Sequence, residues 1–338
     1  MTRLRLGACL SLTGRYGRFG RQAANGLAAW RRLAGGGVEL AIEDDGSDPA
    51  RFAASFPRVA ARCDLLLGPY STQLMREAAA AMPEVGGVLW NHGGAGDDVQ
   101  ALCPGRVVSV PAPAGRYAPP FIQARARERV PLWVVRGRGR FGRQVAAGAA
   151  AVARREGLET VERRAGDGFS FDGAPEAWDL FSAGTFEDDV AIVKAARAAP
   201  RPPRAICSIA AGVRDFASEV DHVDGIYGIA QWFPGRGGRP ELGPAEDAFA
   251  TAYAAVAKSP PDYPAVQAAA AAVLATRCAE LAGSLDRAAL WDAAAGLDTA
   301  TLLGGFRIDP STGAQVKHTT MLLRWRGDEL QPAAAATA

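Results

Sequence analysis

The sequence predicts an α/β fold made of two similar lobes, each with a parallel sheet covered by helices on both faces. Its 338 residues exceed a single ordinary hydrophobic core and correspond to about two domains. Short apolar segments typical of buried strands alternate with segments of helical periodicity, which is the order found in parallel sheets. One hexapeptide occurs twice, at residues 17–22 and 139–144, each time after a predicted strand and at the start of a predicted helix. The repeat indicates that both lobes follow the same plan.

The first part of the chain alternates strands and helices. Leu27 and Trp30 lie on one face of the first helix, and the three glycines at 35–37 end it. Asp48 and Pro49 are the residue types expected at an N-cap and at the first position of the next helix. The predicted strands are residues 4–10, 38–42, 63–67, 87–91 and 107–110, and the predicted helices are 20–34, one that starts at 49, and 71–82.

The pattern restarts after a segment rich in proline, alanine and glycine at 111–120, where we expect the chain to enter the second lobe. A similar segment at 233–242 predicts its return. In between we predict strands at 132–135, 160–162, 205–209 and 225–230 and helices at 141–156 and 188–198. After the return we predict helices at 244–257, 263–282 and 286–294 and short strands within 306–325. The predicted lobes are therefore residues 1–114 with 237–312, and residues 115–236 with 313–338.

Composition excludes several classes of protein. The net charge is +2, from 38 basic and 36 acidic residues, which argues against a protein dedicated to nucleic acids or membrane surfaces. The most apolar stretch, 265–275, is too short to span a bilayer, so we expect no membrane insertion. No signal-peptide pattern is visible at the start, so a cytoplasmic location is expected for the sequence as it stands, and a periplasmic one if a leader has been removed. Five widely spaced cysteines without a CxxC pair predict buried free thiols rather than a metal site or disulfides.

One candidate ligand loop follows the predicted strand at 63–67. Its sequence is Gly-Pro-Tyr-Ser-Thr-Gln, with Tyr70, Ser71 and Thr72 at the start of the next helix. Ser71 or Thr72 can serve as a plain N-cap. The free N–H groups and hydroxyls at such a helix start can also hold the carboxylate or carbonyl oxygen of a ligand.

A second candidate loop follows the strand at 87–91. Asn91 and His92 precede Gly93 and Gly94, whose lack of side chains lets the backbone approach a ligand closely. We expect His92 to donate a hydrogen bond rather than to act in catalysis, since no partner or nucleophile is placed near it. Trp232 is either a core aromatic residue or a wall of a binding site.

Residues 137–142 match the G-x-G-x-x-G pattern of dinucleotide-binding loops, and Glu162 follows at about the right distance for a ribose contact. The pattern keeps an NAD-dependent enzyme open as an alternative. The bulky Arg138 and Arg140 fit poorly beside a pyrophosphate, however. The sequence has no metal-ligand spacing, nucleophile elbow or phosphate-binding loop, so we predict a protein that is not an enzyme and needs no cofactor.

Taken in order, these segments resemble the type I periplasmic binding proteins, and more narrowly the leucine/isoleucine/valine and amide receptors of ABC transporters. The residues that carry the resemblance are Leu12-Thr13-Gly14 with Phe19-Gly20, Glu43-Asp44-Asp45 with Ser47-Asp48-Pro49, Gly68-Pro69-Tyr70-Ser71, Pro261-Asp262-Tyr263, Gly283-Ser284-Leu285-Asp286, Leu303-Gly304-Gly305-Phe306 with Asp309, and Trp325. The resemblance implies two Rossmann-like lobes joined by a three-crossover hinge that close on a small organic ligand. It implies an ABC permease as partner if the protein is exported. A cytoplasmic member would instead be a ligand sensor for a regulatory protein, like the amide sensor that restrains an antiterminator.

The resemblance also implies ligand contacts. Phe19 stands where an aromatic residue lines the binding cleft, and Ser71 matches the serine whose hydroxyl and backbone amide hold the carboxylate end of the ligand. Gly94 and Ala95 stand where amino-acid receptors commonly have Ala-Thr, and Phe141 replaces a tyrosine at the start of the second lobe's first helix. Two hydroxyl groups of the amino-acid receptors are therefore missing here.

The chain is also short between 209 and 225, where such receptors present the carboxylate that pairs with the ligand ammonium. Asp215 and Glu219 are the nearby acidic residues. Because an unpaired buried ammonium is unfavourable, the resemblance implies a neutral or anionic ligand such as an amide, a urea derivative or a small aromatic acid, with Phe141 and Trp232 as apolar walls.

Overall fold

The computed structural model describes residues 3–166 and 169–333. The chain divides into two compact units. The first contains the residues up to Ala112 together with Trp232–His318, and the second contains Pro113–Gln231 and the residues from Thr319 onward. The chain thus passes between the units three times, after residues 112, 231 and 318. The sequence analysis had these passages after residues 114, 236 and 312.

The first unit begins with a regular alternation of strands and helices. Its elements are β1 (Leu4–Leu10), α1 (Gly17–Leu33), β2 (Val38–Asp44), α2 (Pro49–Ala60), β3 (Leu65–Leu67), α3 (Thr72–Val85), β4 (Leu89–Asn91) and β5 (Val107–Ser109). The five strands form a parallel sheet in the order β2-β1-β3-β4-β5. Asp48 caps α2 as predicted, since its carboxylate accepts the N–H of Arg51.

The second unit repeats this alternation. Its elements before the return are α4 (Pro119–Arg125), β6 (Leu132–Arg136), α5 (Gly139–Arg155), β7 (Thr160–Arg164), β8 (Asp179–Ala183), α6 (Phe186–Arg197), β9 (Ala205–Ser208) and β10 (Tyr227–Ala230). Gly17 and Gly139, the first residues of the two hexapeptides, are the first residues of α1 and α5. Each repeat therefore opens the helix that follows the first strand of its own sheet.

The chain then adds three helices and a small hairpin to the first unit and two strands to the second. These elements are α7 (Glu246–Ala257), α8 (Tyr263–Ala282), α9 (Arg287–Ala295), β11 (Thr299–Thr301), β12 (Gly304–Phe306), β13 (Met321–Arg326) and β14 (Glu329–Pro332). The second sheet has the order β14-β13-β10-β9-β8-β6-β7, and β13 runs antiparallel to β10. Its five strands from β7 to β10 repeat the strand order of the first unit.

Helix α8 is long and apolar enough to cross a membrane, but 72% of its most apolar 18-residue window is buried in the protein. It packs along α1, where Gly26 approaches it so closely that a Cβ there would lie 2.1 Å from the carbonyl oxygen of Ala265. Burial on all sides accounts for a helix that is apolar all round.

The sequence analysis missed β8, α4, β11 and β14. Strand β8 begins with Asp179, whose polar side chain masks the strand pattern. In the structure this carboxylate is buried and accepts the guanidinium of Arg125 at 2.9 Å. A charged residue at the start of a buried strand is thus explained by a partner far away in the sequence.

Candidate functional site

The strand order of the first unit identifies a candidate site. In a doubly wound sheet, ligands bind outside the carboxyl ends of the strands, at the point where the strand order reverses. In this sheet the reversal lies between β1 and β3. The segments that follow β1, β3 and the neighbouring β4 therefore meet at one edge, and they contain most of the site residues predicted from the sequence.

Phe19 and Tyr70 form the aromatic part of this edge. Their rings stack with centroids 4.7 Å apart and planes inclined by 12°. Phe19 comes from the first turn of α1 and is 9% exposed, while Tyr70 lies just before α3 and is half-buried. The structure thus brings two predicted contacts together as a flat apolar surface.

Ser71 has an unusual backbone conformation at the start of α3. Its φ is 92° and its ψ is 144°, a region that residues other than glycine rarely adopt. Its Oγ accepts the N–H of Leu74 at 3.2 Å, and its own N–H donates to the carbonyl of Gly93 at 3.3 Å. The backbone N–H that the resemblance assigned to the ligand is therefore used within the loop. The hydroxyl hydrogen of Ser71 stays available for a ligand acceptor, because the Oγ acts only as an acceptor in the cap.

The first turn of α3 supplies further donors. The N–H groups of Thr72 and Gln73 make no hydrogen bond among the described residues, as expected for the first positions of a helix. These donors and the positive end of the helix dipole favour an anionic group.

Asn91 holds the loop after β4 in place. Its Oδ1 accepts the N–H groups of Gly93 at 3.2 Å and Gly94 at 2.8 Å, and its Nδ2 donates to the carbonyl of Gly94 and to Ser109. The side chain is fully buried. A Cβ at Gly93 would lie 2.7 Å from the Cα of Tyr70, so this loop packs directly against the aromatic pair. Asn91 thus positions the loop rather than facing a ligand.

His92 lies in the same loop with no exposed surface. Burial lowers the pKa of His92 to about 4, against an opposing contribution from the backbone of Gly68. Neither ring nitrogen has a hydrogen-bond partner of normal geometry in the described part of the chain. With this pKa the ring is neutral at pH 7.

The acidic end of β2 shapes the segment after β1. Asp44 accepts the N–H groups of Leu12 at 2.9 Å and Gly46 at 2.9 Å and the hydroxyl of Thr13 at 2.7 Å. Burial raises the pKa of Asp44, but these hydrogen bonds outweigh it and hold the pKa below its usual value. The sequence analysis cited this acidic residue only for the resemblance. Its position at the end of the strand next to β1 explains its role in holding the segment that leads to Phe19.

Asp45 is buried in the first unit and also holds the segment after β1. It accepts the hydroxyl of Ser11 at 2.6 Å and the N–H of Ser47 at 2.8 Å. Burial raises its pKa. The two neighbouring carboxylates thus hold the beginning of the segment after β1, from Ser11 to Thr13.

Two further predicted contacts, Phe141 and Trp232, each pack within their own unit. Phe141, in the first turn of α5 of the second unit, packs edge-on against Tyr117 with ring centroids 5.7 Å apart. Trp232 belongs to the first unit, is 3% exposed and packs against Gly237. Of the two interpretations of Trp232, the structure favours a core aromatic residue.

The second unit also contains a buried carboxylate that the sequence analysis missed. Asp189 in α6 accepts the hydroxyls of Ser182 at 2.6 Å and Ser208 at 3.0 Å and the N–H of Ala210 at 3.0 Å. Burial raises the pKa of Asp189 to about 6. Its hydrogen bonds tie the carboxyl ends of β8 and β9 to α6. Nothing in the local sequence distinguishes it from Asp188.

Asp215 lies in a short 3₁₀ helix, Arg214–Ser218, after β9, and Glu219 follows that helix directly. Both make interactions within the protein.

The glycine loop at 137–142 has an unfavourable neighbour for a dinucleotide. A Cβ at Gly137 would lie 2.4 Å from a carboxylate oxygen of Asp188, so the first glycine of the loop packs against this side chain. A carboxylate beside the loop disfavours a negatively charged pyrophosphate there. The close packing of Gly137 against α6 explains the glycine without a cofactor.

Metal chemistry has no evident ligands here. Residues 3–166 and 169–333 contain no group of three or more His, Cys, Asp or Glu side chains that could hold a metal ion. All five cysteines are free, and four of them are buried, with Cys63 half-buried.

Comparison with solved structures shows the same fold in bacterial transport proteins. The branched-chain amino acid transporter substrate-binding protein LivJ from Streptococcus pneumoniae, in complex with isoleucine, has a TM-score of 0.78 and 16% identity, with 98% of each chain covered. A solute-binding protein of an ABC transporter from Rhodopseudomonas palustris BisB5, in complex with 3,4-dihydroxybenzoic acid, has a TM-score of 0.81 and 16% identity, covering 98% of this chain and 96% of that one. Another from Rhodopseudomonas palustris, in complex with benzoate, has a TM-score of 0.75 and 19% identity, covering 98% and 97%.

No curated protein matches the chain in sequence. The family model described as periplasmic binding protein matches residues 3–168 and 172–329. This match extends over nearly the whole sequence and agrees with the two-lobed fold and with the resemblance noted from the residues. The chain belongs to the periplasmic binding protein family.

Proposed function

We propose that this protein binds a small organic carboxylic acid, carries out no chemistry on it, and delivers it to the permease of an ABC transporter. The observation that carries the proposal is the arrangement at the start of α3. There Ser71, held at a φ of 92°, adjoins the stacked rings of Phe19 and Tyr70. Backbone strain of this kind costs about 1–3 kcal/mol and is retained mainly where function requires it.

The carboxylate end of the ligand would bind at the helix start. The hydroxyl of Ser71 and the N–H groups of Thr72 and Gln73 are the donors there, and the helix dipole adds a favourable field. The apolar end of the ligand would pack against the rings of Phe19 and Tyr70. Asp44 and Asn91 support the proposal indirectly, because they hold the two segments that carry these contacts.

The residues favour an acid without an ammonium group. Ala95 and Phe141 lack the hydroxyls found at the matching positions of amino-acid receptors. Two of the structural neighbours were solved with 3,4-dihydroxybenzoic acid and with benzoate. A small aromatic acid is therefore the proposed ligand class. Isoleucine, the ligand in the LivJ complex, is the alternative against which it is tested.

The role of delivery to a permease rests on the same neighbours, which are substrate-binding or solute-binding proteins of ABC transporters. The family consists of binding proteins, which supports a function without catalysis.

Isothermal titration with benzoate, 4-hydroxybenzoate, isoleucine, acetamide and NAD tests the proposal. We expect an aromatic acid to bind and Ser71→Ala to weaken it by about 1–3 kcal/mol, roughly 5- to 150-fold, because a ligand acceptor loses its donor. Ser71→Gly removes the same hydroxyl but accommodates the positive φ, so it gives the same loss in a less strained chain. Asp286→Ala is the matched control, because it removes the N-cap of α9 away from these loops and leaves affinity unchanged.

Three outcomes would contradict the proposal. Binding of isoleucine without any aromatic acid would overturn the ligand class. Unchanged affinity in both Ser71 variants would overturn the location of the site. Binding of NAD alone, abolished by Gly139→Val, would establish the dinucleotide alternative instead.

A further inference from the structure

A pocket of about 300 Å³ lies within the second unit at the amino ends of β9 and β10. Its wall includes the end of α6, the two prolines before β9, the turn before β10 and one residue of β13. The proposed solute contacts follow the carboxyl ends of strands in the first unit, whereas this pocket lies at the amino ends of strands in the second. It is independent of the proposed function.

The pocket is rich in arginine. Arg197, Arg204 and Arg324 line it, and Asp224 is the acidic residue among the lining residues. One oxygen of Asp224 accepts the N–H of Gly327 at 2.7 Å. This hydrogen bond from the neighbouring turn partly compensates the negative charge of the carboxylate. Counting Asp224 and the Glu128 carboxylate that pairs with Arg204, three guanidinium groups stand against two carboxylates, and the net positive charge makes the pocket attractive to an anion.

Each of two arginines has part of its donor set occupied. Arg197 donates to the carbonyl of Asp221, and Arg204 donates to Glu128 at 2.8 Å. A guanidinium has five N–H donors in a planar fork, so one such bond leaves others for a ligand. Both side chains are exposed and can turn toward an incoming ion.

Arg324 is the most constrained of the three. It pairs across the sheet with Tyr227, and its guanidinium carbon lies 5.1 Å from the centre of the tyrosine ring. Its Nε is buried and has no hydrogen-bond partner among residues 3–166 and 169–333. A buried donor without an acceptor is unfavourable. Arg324 lines the pocket, and the other N–H groups of its guanidinium can donate to an acceptor there.

We propose that this pocket binds a small oxyanion, either a phosphate group or a carboxylate. Guanidinium groups hold both through paired N–H···O bonds of matching geometry. The volume of about 300 Å³ is at the small end for ligand sites and suits an ion or a short organic acid. Pro202, Ile206 and Ile226 line the rest of the wall and would contact the apolar part of an organic acid.

Titration of the full chain with inorganic phosphate and with succinate, at constant ionic strength maintained with chloride, tests this proposal. We expect saturable binding of one of the two, and the one that binds identifies the source of the oxyanion. Arg324→Gln should weaken that binding at least about tenfold, since a charge-assisted bond is lost. Arg155→Gln, at an exposed position at the end of α5, is the control and should bind as the unaltered chain does.

No saturable binding of either anion would overturn the proposal, as would equal affinity in Arg324→Gln and Arg155→Gln. If circular dichroism shows that Arg324→Gln does not fold, Arg204→Gln decides by the same criterion, because Arg204 is exposed and removable without loss of core. Ser71→Ala is titrated with the same two anions, because it alters the proposed solute site and leaves the arginines intact. Binding that is lost in Arg324→Gln and kept in Ser71→Ala belongs to this pocket, and the reverse pattern would overturn the proposal.

Discussion

At the scale of single residues, polar side chains in this protein position the loops rather than form their binding surface. Asn91 accepts backbone N–H groups of its own loop, and Asp44, at the end of β2, accepts those of the segment after β1. The donors left at the candidate site are the hydroxyl of Ser71 and the amides of Thr72 and Gln73. A search for reactive side chains alone would therefore miss this candidate site, whose hydrogen-bond donors are largely those of a helix start.

Asp189 provides a prediction about stability and pH. Burial raises its pKa from 3.8 to about 6, so the folded state holds this proton more tightly than the unfolded chain does. Its contribution to stability is complete below about pH 4 and is lost as the pH rises toward 6. The difference in pKa corresponds to roughly 3 kcal/mol. Asp189→Asn should remove this part of the pH dependence, measured by urea unfolding between pH 4 and 7.

The exposed Asp328 serves as the control for that measurement, because Asp328→Asn leaves the buried cluster intact. Parallel unfolding profiles for Asp189→Asn and Asp328→Asn across this pH range would contradict the assignment. Such a result would mean that the hydrogen bonds from Ser182 and Ser208 fully offset the burial of Asp189.

At the scale of elements, the sequence predicted well what depends on local pattern. Helix α8 was predicted with its observed bounds, and the hexapeptide marked the starts of α1 and α5. The cap at Asp48 followed from its residue type. By contrast, β8 was missed because its first residue, Asp179, is neutralised by Arg125, a partner more than fifty residues away. A pairing between residues far apart in the sequence leaves no trace in the hydrophobic periodicity of either segment.

The candidate site likewise has parts that could be predicted from the sequence and parts that could not. The loop of Tyr70 and Ser71 could be predicted from its position between a strand and a helix. The stacking of Tyr70 on Phe19 depends on the order of strands in the sheet, since β1 and β3 are neighbours only in the folded chain. The positive φ of Ser71 has no sequence signal, because glycine is the residue expected there.

The contact between α1 and α8 gives a prediction at this scale. In an open helix, Gly26→Ala would be favourable by about 1 kcal/mol. Here the new Cβ would lie 2.1 Å from the carbonyl oxygen of Ala265, a backbone atom that cannot rotate away. We expect net destabilisation of about 1–3 kcal/mol by urea unfolding.

Gly37→Ala is the control, since no atom lies within 4 Å of a Cβ added at this position. Its free energy of unfolding should change by no more than about 0.5 kcal/mol. Equal stability of the two variants would disprove the close approach.

At the scale of the whole molecule, neither unit is a continuous piece of chain. The second unit receives β13 and β14 only after the third passage, and β13 then pairs with β10 along residues 321–324. Trp325 is 2% exposed, and its Nε1 donates to the carbonyl of Ala211 at 3.0 Å. The last segment therefore supplies both a strand and a core side chain to a sheet that was begun almost two hundred residues earlier.

Removing residues 319–338 should consequently destabilise the second unit while the first stays folded. The loss exposes the edge of β10 and removes Trp325 from the core, where deletion of one such side chain alone costs about 3–5 kcal/mol. Hydrogen exchange read by mass spectrometry should show faster exchange in peptides of β8, β9 and β10, and unchanged exchange in peptides of β1 and α8, which act as the internal control. Trp325→Ala in the full-length chain should give the same pattern in milder form. Retained protection of β9 and β10 in the shortened chain would show that the second sheet is complete without its last strands. Equal loss of protection in both units would show that the first depends on the second for its stability.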